Sequence, residues 1–244
     1  MKRHVAIVVV LWLALTVIGE LWVLTSRFLP LGFAEQAELV DEAFRLQMVL
    51  AVPVFTLVIA ALVYSVLRFR ARGEPTEEGP ALHINTPLAA TWVAVSTALC
   101  LTVIVNPGIV GLHALRAHAQ HQPDLVVRVE GSQWAWRISY PEHGVSSYRL
   151  VLPKDRLVRF EVSSTDVIHS FWVPAFRMKI DAVPGMVTTV YATPNRTGVY
   201  EADSTLRLQC AELCGMLHSR MTNPVTVMDP QEFDAWIAQQ KSGR

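Results

Sequence analysis

Cys210, Cys214, His218 and Met221 fall in one short stretch, Cys210-Ala211-Glu212-Leu213-Cys214-Gly215-Met216-Leu217-His218-Ser219-Arg220-Met221. The spacing C-x3-C-x3-H-x2-M concentrates soft donors. Thiolate and thioether favour Cu(I), and imidazole accepts either oxidation state of copper. A mononuclear blue-copper site needs one thiolate, two imidazoles and a weak axial ligand, so the second cysteine points to a second metal ion sharing both sulfurs. Such a centre wants a further imidazole, and His169 offers one from the apolar, strand-like run 165–174. Other chemistries stay open on the residues alone. Two cysteines four apart form a disulfide outside a cell, or help to bind zinc, although zinc pairs more often follow C-x2-C and methionine is not a usual zinc ligand. A lone histidine on an apolar strand is commonly a hydrogen-bonded core residue. The joint occurrence of these donors favours dinuclear copper.

Two kinds of element must position this set. Hydrophobic residues make up 52% of the 244, charged residues 17%, and mean hydropathy is +0.32. Lys and Arg balance Asp and Glu at 21 each, which excludes recognition of nucleic acid by bulk charge. The apolar excess sits in the first 115 residues, in spans of about 5–24, 48–67 and 88–110, each long enough to cross a bilayer. The first lies behind Lys2, Arg3 and His4 like a signal peptide. It is long for one, and Gly19-Glu20-Leu21-Trp22 offers no small-residue cleavage site, so it reads as a retained helix. Three spans are expected, or two if the first is cleaved. Pro107, in Asn106-Pro107-Gly108, is expected to kink or stop the third. Lys2 and Arg3 place the N-terminus in the cytoplasm, and Arg68, Arg70 and Arg72 mark a second cytoplasmic segment. Everything after residue 113 then lies outside, on the periplasmic or extracellular face of a bacterial-type cell membrane. Cys100, alone in the third span, reads as a packing residue. His113, His118 and His121 read as a solvated juxtamembrane segment.

From Asp124 the pattern changes to short runs rich in Val, Ile, Tyr and Phe, broken by Gly, Pro and Asn: 125–129, 134–140, 148–151, 158–162, 187–191 and 225–227. Many short strands predict a sandwich or barrel, and the segment is long enough for one core. Asp229-Pro230-Gln231-Glu232-Phe233 opens a short C-terminal helix, with Phe233, Trp236 and Ile237 set to pack it back. The expected division is 1–115 membrane helices, 116–228 the metal domain, and 229–244 the helix and tail. Asp166 and Gln209 stand next to the candidate ligands as hydrogen-bond partners. Trp134 and Trp136, two apart, share a face if both lie on one strand.

The metal loop resembles the copper A site of the cytochrome c oxidase subunit II family, whose pattern is one upstream His and then C-x-E-x-C-x3-H-x2-M. The resemblance extends over most of the chain and implies a cupredoxin-like Greek-key barrel. It implies that Cys210 and Cys214 bridge two copper ions, that His169 and His218 each bind one, and that Met221 and the Glu212 carbonyl are the weak ligands. The Glu212 carboxylate is then free for a Mg2+ or Mn2+ shared with the catalytic subunit. Gly131-Ser132-Gln133-Trp134-Ala135-Trp136 resembles the family's Q-W-Y-W segment, which assigns Trp134 as the point where electrons arrive from cytochrome c and leaves Trp136 to packing. The implied partners are the catalytic haem-copper subunit I, other oxidase subunits, a soluble donor such as cytochrome c, and the membrane.

Four positions depart from the family. Ala89 stands where many members carry a Glu near a proton pathway, Ala135 replaces the usual Tyr, and Met186 replaces a common Arg. The connection from Gly198-Val199-Tyr200 to Cys210 is also lengthened by 201–209. No C-x-x-C-H haem motif occurs, so oxygen reduction belongs to another chain of the complex. The competing reading is a metal-free structural subunit of a quinol-oxidase-like complex, against which the complete ligand set stands. A copper-delivery protein and the dicopper domain of nitrous oxide reductase are further alternatives. The first is disfavoured by ligands on two distant segments, the second by the membrane anchor.

Overall fold

A computed structural model describes residues 2–70, 73 and 84–242. Arg72 and the last two residues of the 229–244 tail lie outside the described residues. The chain forms two compact units, one from the chain up to Phe28 with Glu42–Leu112, the other from Leu29–Asp41 with His113 onward.

The helices α1 (Lys2–Thr25), α2 (Glu35–Phe69) and the helical stretch Thr86–Ala117, which supply the first unit, are each long and apolar enough to cross a membrane, although residues 35–41 and 113–117 belong to the second unit. The third is α3 (Thr86–Val103) and α4 (Val110–His118), joined across a kink at Asn106, whose φ of −134° and ψ of 114° leave the helical region. The residue before a proline is pushed out of the α region, and Pro107 has no N–H to give the ladder. Asn85 caps α3 by accepting the Leu88 N–H at 3.2 Å. Helix α2 begins at Glu35, well before the apolar run at residue 48. Helices α1 and α2 share polar contacts. The Trp12 indole donates to the Pro53 carbonyl at 2.7 Å, the Thr16 and Thr56 hydroxyls meet at 2.7 Å, and Gly19 lets Val52 approach where a Cβ would lie 2.7 Å from Cγ1. In hydrocarbon such groups need partners within the protein, and small residues let helices approach. Cys100, expected to pack, is exposed on α3 instead.

The second unit is a two-sheet sandwich of mixed strands. One sheet has the order β3-β2-β1-β5-β8, built from β1 (Leu125–Ser132), β2 (Ala135–Tyr140), β3 (Val145–Ser147), β5 (Val158–Ser164) and β8 (Thr188–Ala192). The other has the order β4-β11-β10-β6-β7, from β4 (Leu150–Pro153), β6 (His169–Val173), β7 (Met178–Ala182), β10 (Arg207–Cys210) and β11 (Thr222–Met228), with β9 (Gly198–Val199) paired to β11. Strands β1 and β5 run parallel, as do β4 and β11, while the other pairs are antiparallel. This is the cupredoxin-like arrangement expected from the resemblance.

Period-two alternation sets the core. Along β5, Val158, Phe160 and Val162 are buried, and the Phe160 ring packs at a tilt 5.1 Å from Phe171 of the facing sheet. Helix α5 (Pro230–Ser242) buries Phe233 and Ile237 and sets Trp236 edge-on to Tyr140 at 5.4 Å. The Tyr140 hydroxyl donates to the Val151 carbonyl and accepts its N–H, both at 2.8 Å. Burial therefore raises the pKa of that phenol far above its ordinary value, and the bond to Val151 offsets it only in part.

The segment between α1 and α2 belongs to this unit. Phe33 and Ala34 are buried in its core, and a backbone bridge joins Ala34 to Pro194. Arg177 fastens it. Its guanidinium pairs with Asp41 at 2.7 and 3.1 Å and donates to the carbonyls of Pro30 and Pro174. The Arg177 side chain is only 12% exposed and that of Asp41 25%. Arg177→Ala takes the guanidinium from a half-buried carboxylate and from the Pro30 carbonyl, while the Pro174 carbonyl keeps the backbone N–H of residue 177, so it should destabilise the unit by about 2 kcal/mol. Thermal unfolding of the full chain in detergent should show a lower midpoint, with early proteolysis within 29–41. An unchanged midpoint and cleavage pattern would contradict this role.

Candidate metal centre

The donors converge because two strand ends and one hairpin loop meet at the same end of the sandwich. Strand β6 starts at His169, and β10 ends at Cys210. The two strands pair in the register Cys210↔Phe171, so both residues finish side by side. Backbone bonds from Ala211 N to Ser170 O at 3.0 Å and from Cys210 N to Met221 O at 3.1 Å close the base of the β10–β11 loop. That loop carries Glu212, Cys214 and a 3-10 turn over His218–Arg220, and delivers Met221 just before β11. Gly215 turns it at φ +114°, a region that L side chains rarely adopt.

Cys210, Cys214, Met221 and His169 are all buried. A ring nitrogen of His169, Cys210 Sγ and Cys214 Sγ lie within 4.8 Å of one another, and His169 Nδ1 is 3.8 Å from the Cys210 sulfur. The Cys210 and Cys214 sulfurs are 3.8 Å apart, so they are free thiols and the disulfide alternative falls. Around Cys214 stand His218 Nδ1 at 3.5 Å and Met221 Sδ at 3.9 Å, and the Glu212 carbonyl lies 3.2 Å from the Cys210 sulfur. The structure thus brings together every residue named from the sequence motif, while the Glu212 carboxylate belongs to an exposed residue.

Donor chemistry fits copper better than zinc. Two thiols, two imidazoles, a thioether and a carbonyl in a buried apolar shell form a soft set, and the thioether is foreign to structural zinc. Burial, together with the neighbouring Cys210, pushes the Cys214 thiol up to about 11. Metal uptake must therefore displace a proton from it.

A hydrogen-bonded ring fixes the ligands. The His169 Nε2 lies 2.9 Å from Asp166 Oδ1, which turns Nδ1 toward the sulfurs. Burial opposes charge on Asp166, but the amides of Gln133 and Val167 together with His169 outweigh it and hold the carboxyl down at about 2. Gln133 also donates its side-chain amide to the Cys214 carbonyl at 2.7 Å, and the Trp134 indole N–H reaches the same oxygen at 3.1 Å. Gly131 makes room, since a Cβ there would lie 3.0 Å from both the His169 and Trp136 rings.

Two sequence expectations change. Trp134 lies in the β1–β2 turn rather than on a strand beside Trp136, which alone of the two is buried, its ring 5.9 Å from His169. Gln209 faces away from the sulfurs and accepts from Arg207, so of the two expected partners only Asp166 touches a ligand. Gln133 was legible only as part of the aromatic segment. Its amide beside Trp134 was the signal.

Comparison with known proteins gives a consistent picture. A family model described as cytochrome c oxidase subunit II, periplasmic domain, matches residues 143–228. Cytochrome c oxidase subunit 2 of Thermostichus vulcanus is 32% identical, with 88% of this chain and 79% of that protein covered. The subunit of the same name from Synechocystis is 29% identical, with 95% and 81% covered. Among solved structures, the periplasmic domain of subunit II of cytochrome oxidase from Bradyrhizobium japonicum is 30% identical, covering 50% of this chain and 97% of that one at a TM-score of 0.44.

Proposed function

Because this chain belongs to the cytochrome c oxidase subunit II family and so to an oxidoreductase complex, we propose that it is the subunit through which a respiratory haem-copper oxidase receives electrons. The observation that carries this reading is the convergence of His169, Cys210, Cys214, His218, Met221 and the Glu212 carbonyl on one buried pocket of soft donors. When bound there, two copper ions supply a one-electron centre whose charge is shared over both metals and both sulfurs. Cys210 and Cys214 would bridge them, His169 and His218 would each hold one, and Met221 and the Glu212 carbonyl would be the weak ligands. The exposed Glu212 carboxylate is free to join a Mg2+ or Mn2+ site shared with the catalytic subunit.

The chain's own residues supply position and shielding. The sandwich keeps water from the sulfurs, and the paired strand ends limit ligand movement when charge changes. Trp134, half-buried and bonded to the carbonyl of a ligand residue, offers an aromatic bridge from the surface to the site. The donor, cytochrome c or a similar soluble carrier, meets it on the periplasmic or extracellular face. Residues 1–115, apart from the 29–41 segment, anchor the chain in the cell membrane beside subunit I, 116–228 hold the metal, and α5 packs on the sandwich. The contacts of α1 with α2 support keeping α1 as a span. Ala89 supplies no carboxylate at the position where many members of the family carry a Glu.

Rapid mixing of the assembled oxidase with a reduced cytochrome c tests this. The near-infrared band of the copper pair should bleach before the haem of the catalytic subunit is reduced. Haem reduction with no prior change in that band would sink the proposal. Asp166→Ala should lower copper affinity roughly 10–100-fold, the usual cost of removing the partner that orients a metal-binding imidazole. Asp166→Asn, which keeps one acceptor oxygen, should recover part of it. Equilibrium dialysis against a copper chelator measures both, and equal affinity in all three proteins would contradict the role of the ring.

A further inference from the structure

Four segments form the end of the sandwich over the donor cluster: the β1–β2 turn, and the loops 165–168, 183–187 and 211–221. Among the described residues past His113, the exposed large apolar side chains outside these segments are Tyr148, Val199 and Tyr200. All the others belong here. Leu213 and Met216 are 80% and 89% exposed, and Ile168, Met186, Val187 and Leu217 accompany them. Stable soluble surfaces rarely cluster such groups unless they meet a partner.

Charge is sparse at the same end. The four segments carry Asp166, Glu212 and Arg220 as their formal charges. Asp166 is spent on Gln133, Val167 and His169, and the other two are of opposite sign. The patch is continuous with the electron path. Leu213 and Met216 flank Cys214-Gly215, the Cys214 carbonyl takes the Trp134 indole, and a Cβ on Gly215 would lie 3.2 Å from that ring.

Resting on the function proposed above, we propose that this apolar, nearly uncharged crown is the docking surface for the electron donor. The donor it fits is a small soluble redox carrier whose cofactor edge is ringed by apolar, neutral side chains rather than lysines. The carrier seats on Leu213, Met216 and Ile168 and gives up one electron, and the copper site below takes up that one electron. The segments of the crown carry little charge to steer a partner, with exposed Asp181 at the end of β7 beside them, so docking depends mainly on contact. Methionine suits a surface that must release its partner every turnover, because its unbranched thioether repacks at little cost. The lengthened 201–209 segment takes no part, since Arg149 ties its Glu201 back at 2.6 Å.

The test uses the assembled oxidase with two reduced probes, a lysine-rimmed mitochondrial-type cytochrome c and a small c-type cytochrome with a neutral apolar rim. The neutral probe should react faster, and its bimolecular rate should change less than about twofold between roughly 0.01 and 0.3 M salt. Leu213→Glu and Met216→Glu should each slow it about tenfold, as loss of a central contact does, with the copper spectrum and turnover on a small-molecule reductant retained. Met216→Ser, a milder change, should slow it less.

A faster lysine-rimmed probe with a steep fall in salt would overturn the proposal. So would unchanged rates in the variants, or variants that no longer assemble with subunit I, which would assign the crown to that subunit. Wild-type oxidase lacking the copper pair would instead sink the functional reading beneath it, so the two failures are told apart.

Discussion

Cys214→Ser should abolish the dinuclear centre while leaving the sandwich folded. The Cys214 sulfur is the hub of the cluster, within 3.8 Å of Cys210 Sγ, 3.5 Å of His218 Nδ1 and 3.9 Å of Met221 Sδ. A serine oxygen is hard, smaller and not ionised at neutral pH, so it cannot bridge two soft ions. The loss should exceed the roughly 10–100-fold in metal affinity that follows removal of an outer hydrogen-bond partner. Folding should suffer little, because a buried hydroxyl costs about 1 kcal/mol when other polar groups stand near it. Metal analysis of the purified subunit should fall from two coppers per chain to one or none, and oxidation of cytochrome c by the complex should stop. Cys100→Ser, at an exposed position on α3, should change neither. Two coppers retained in Cys214→Ser would contradict the bridging role.

Trp134→Leu should separate donor oxidation from everything else. The indole N–H meets the Cys214 carbonyl at 3.1 Å. Leucine keeps most of the apolar volume but removes both the π-system and that bond. Electron arrival from cytochrome c should slow by about 100-fold, equivalent to ~2.7 kcal/mol on the barrier. Copper content and spectrum should persist, because Gln133 still holds the same carbonyl at 2.7 Å. Trp136→Leu should do the reverse. Its ring is buried 5.9 Å from His169 and at right angles to Phe171, so its loss opens a cavity beside a ligand and should cost about 3 kcal/mol. Stopped-flow oxidation of reduced cytochrome c and thermal unfolding distinguish the pair. Equal donor kinetics in Trp134→Leu and wild type would remove Trp134 from the path.

Much of the centre was legible because its chemistry is local. Four of the donor residues sit in one hairpin loop, where spacing alone encodes the cluster. His169 was recoverable because a polar imidazole in an apolar strand asks for a partner. The clamp of Gln133 and Asp166 was only half visible, since it joins residues 33 positions apart through one backbone N–H. Sequence spacing carries no record of such a bond.

The fold divides along the same line. Apolar runs of bilayer length marked the spans, and short runs of strand-forming residues marked β1, β2, β4, β5, β8 and β11. Strand β10, Arg207-Leu208-Gln209-Cys210, alternates polar and apolar residues over only four positions, too short a run to mark a strand alone, and it is defined by its pairing with β6 and β11. The start of α2 at Glu35 escaped a search for uniformly apolar segments because 35–47 mixes charged and apolar residues. Docking of Phe33 and Ala34 into the outer unit rests on Arg177–Asp41, a pairing between residues 136 apart.

The most direct test of the copper assignment is the electron paramagnetic resonance spectrum of the copper-loaded full chain. One unpaired electron shared equally by two copper nuclei gives a seven-line hyperfine pattern, and that pattern with two coppers per chain is the expected result. A four-line signal of a single copper, or a chain that takes up no copper, would contradict the dinuclear centre and leave the sandwich as a structural or docking module.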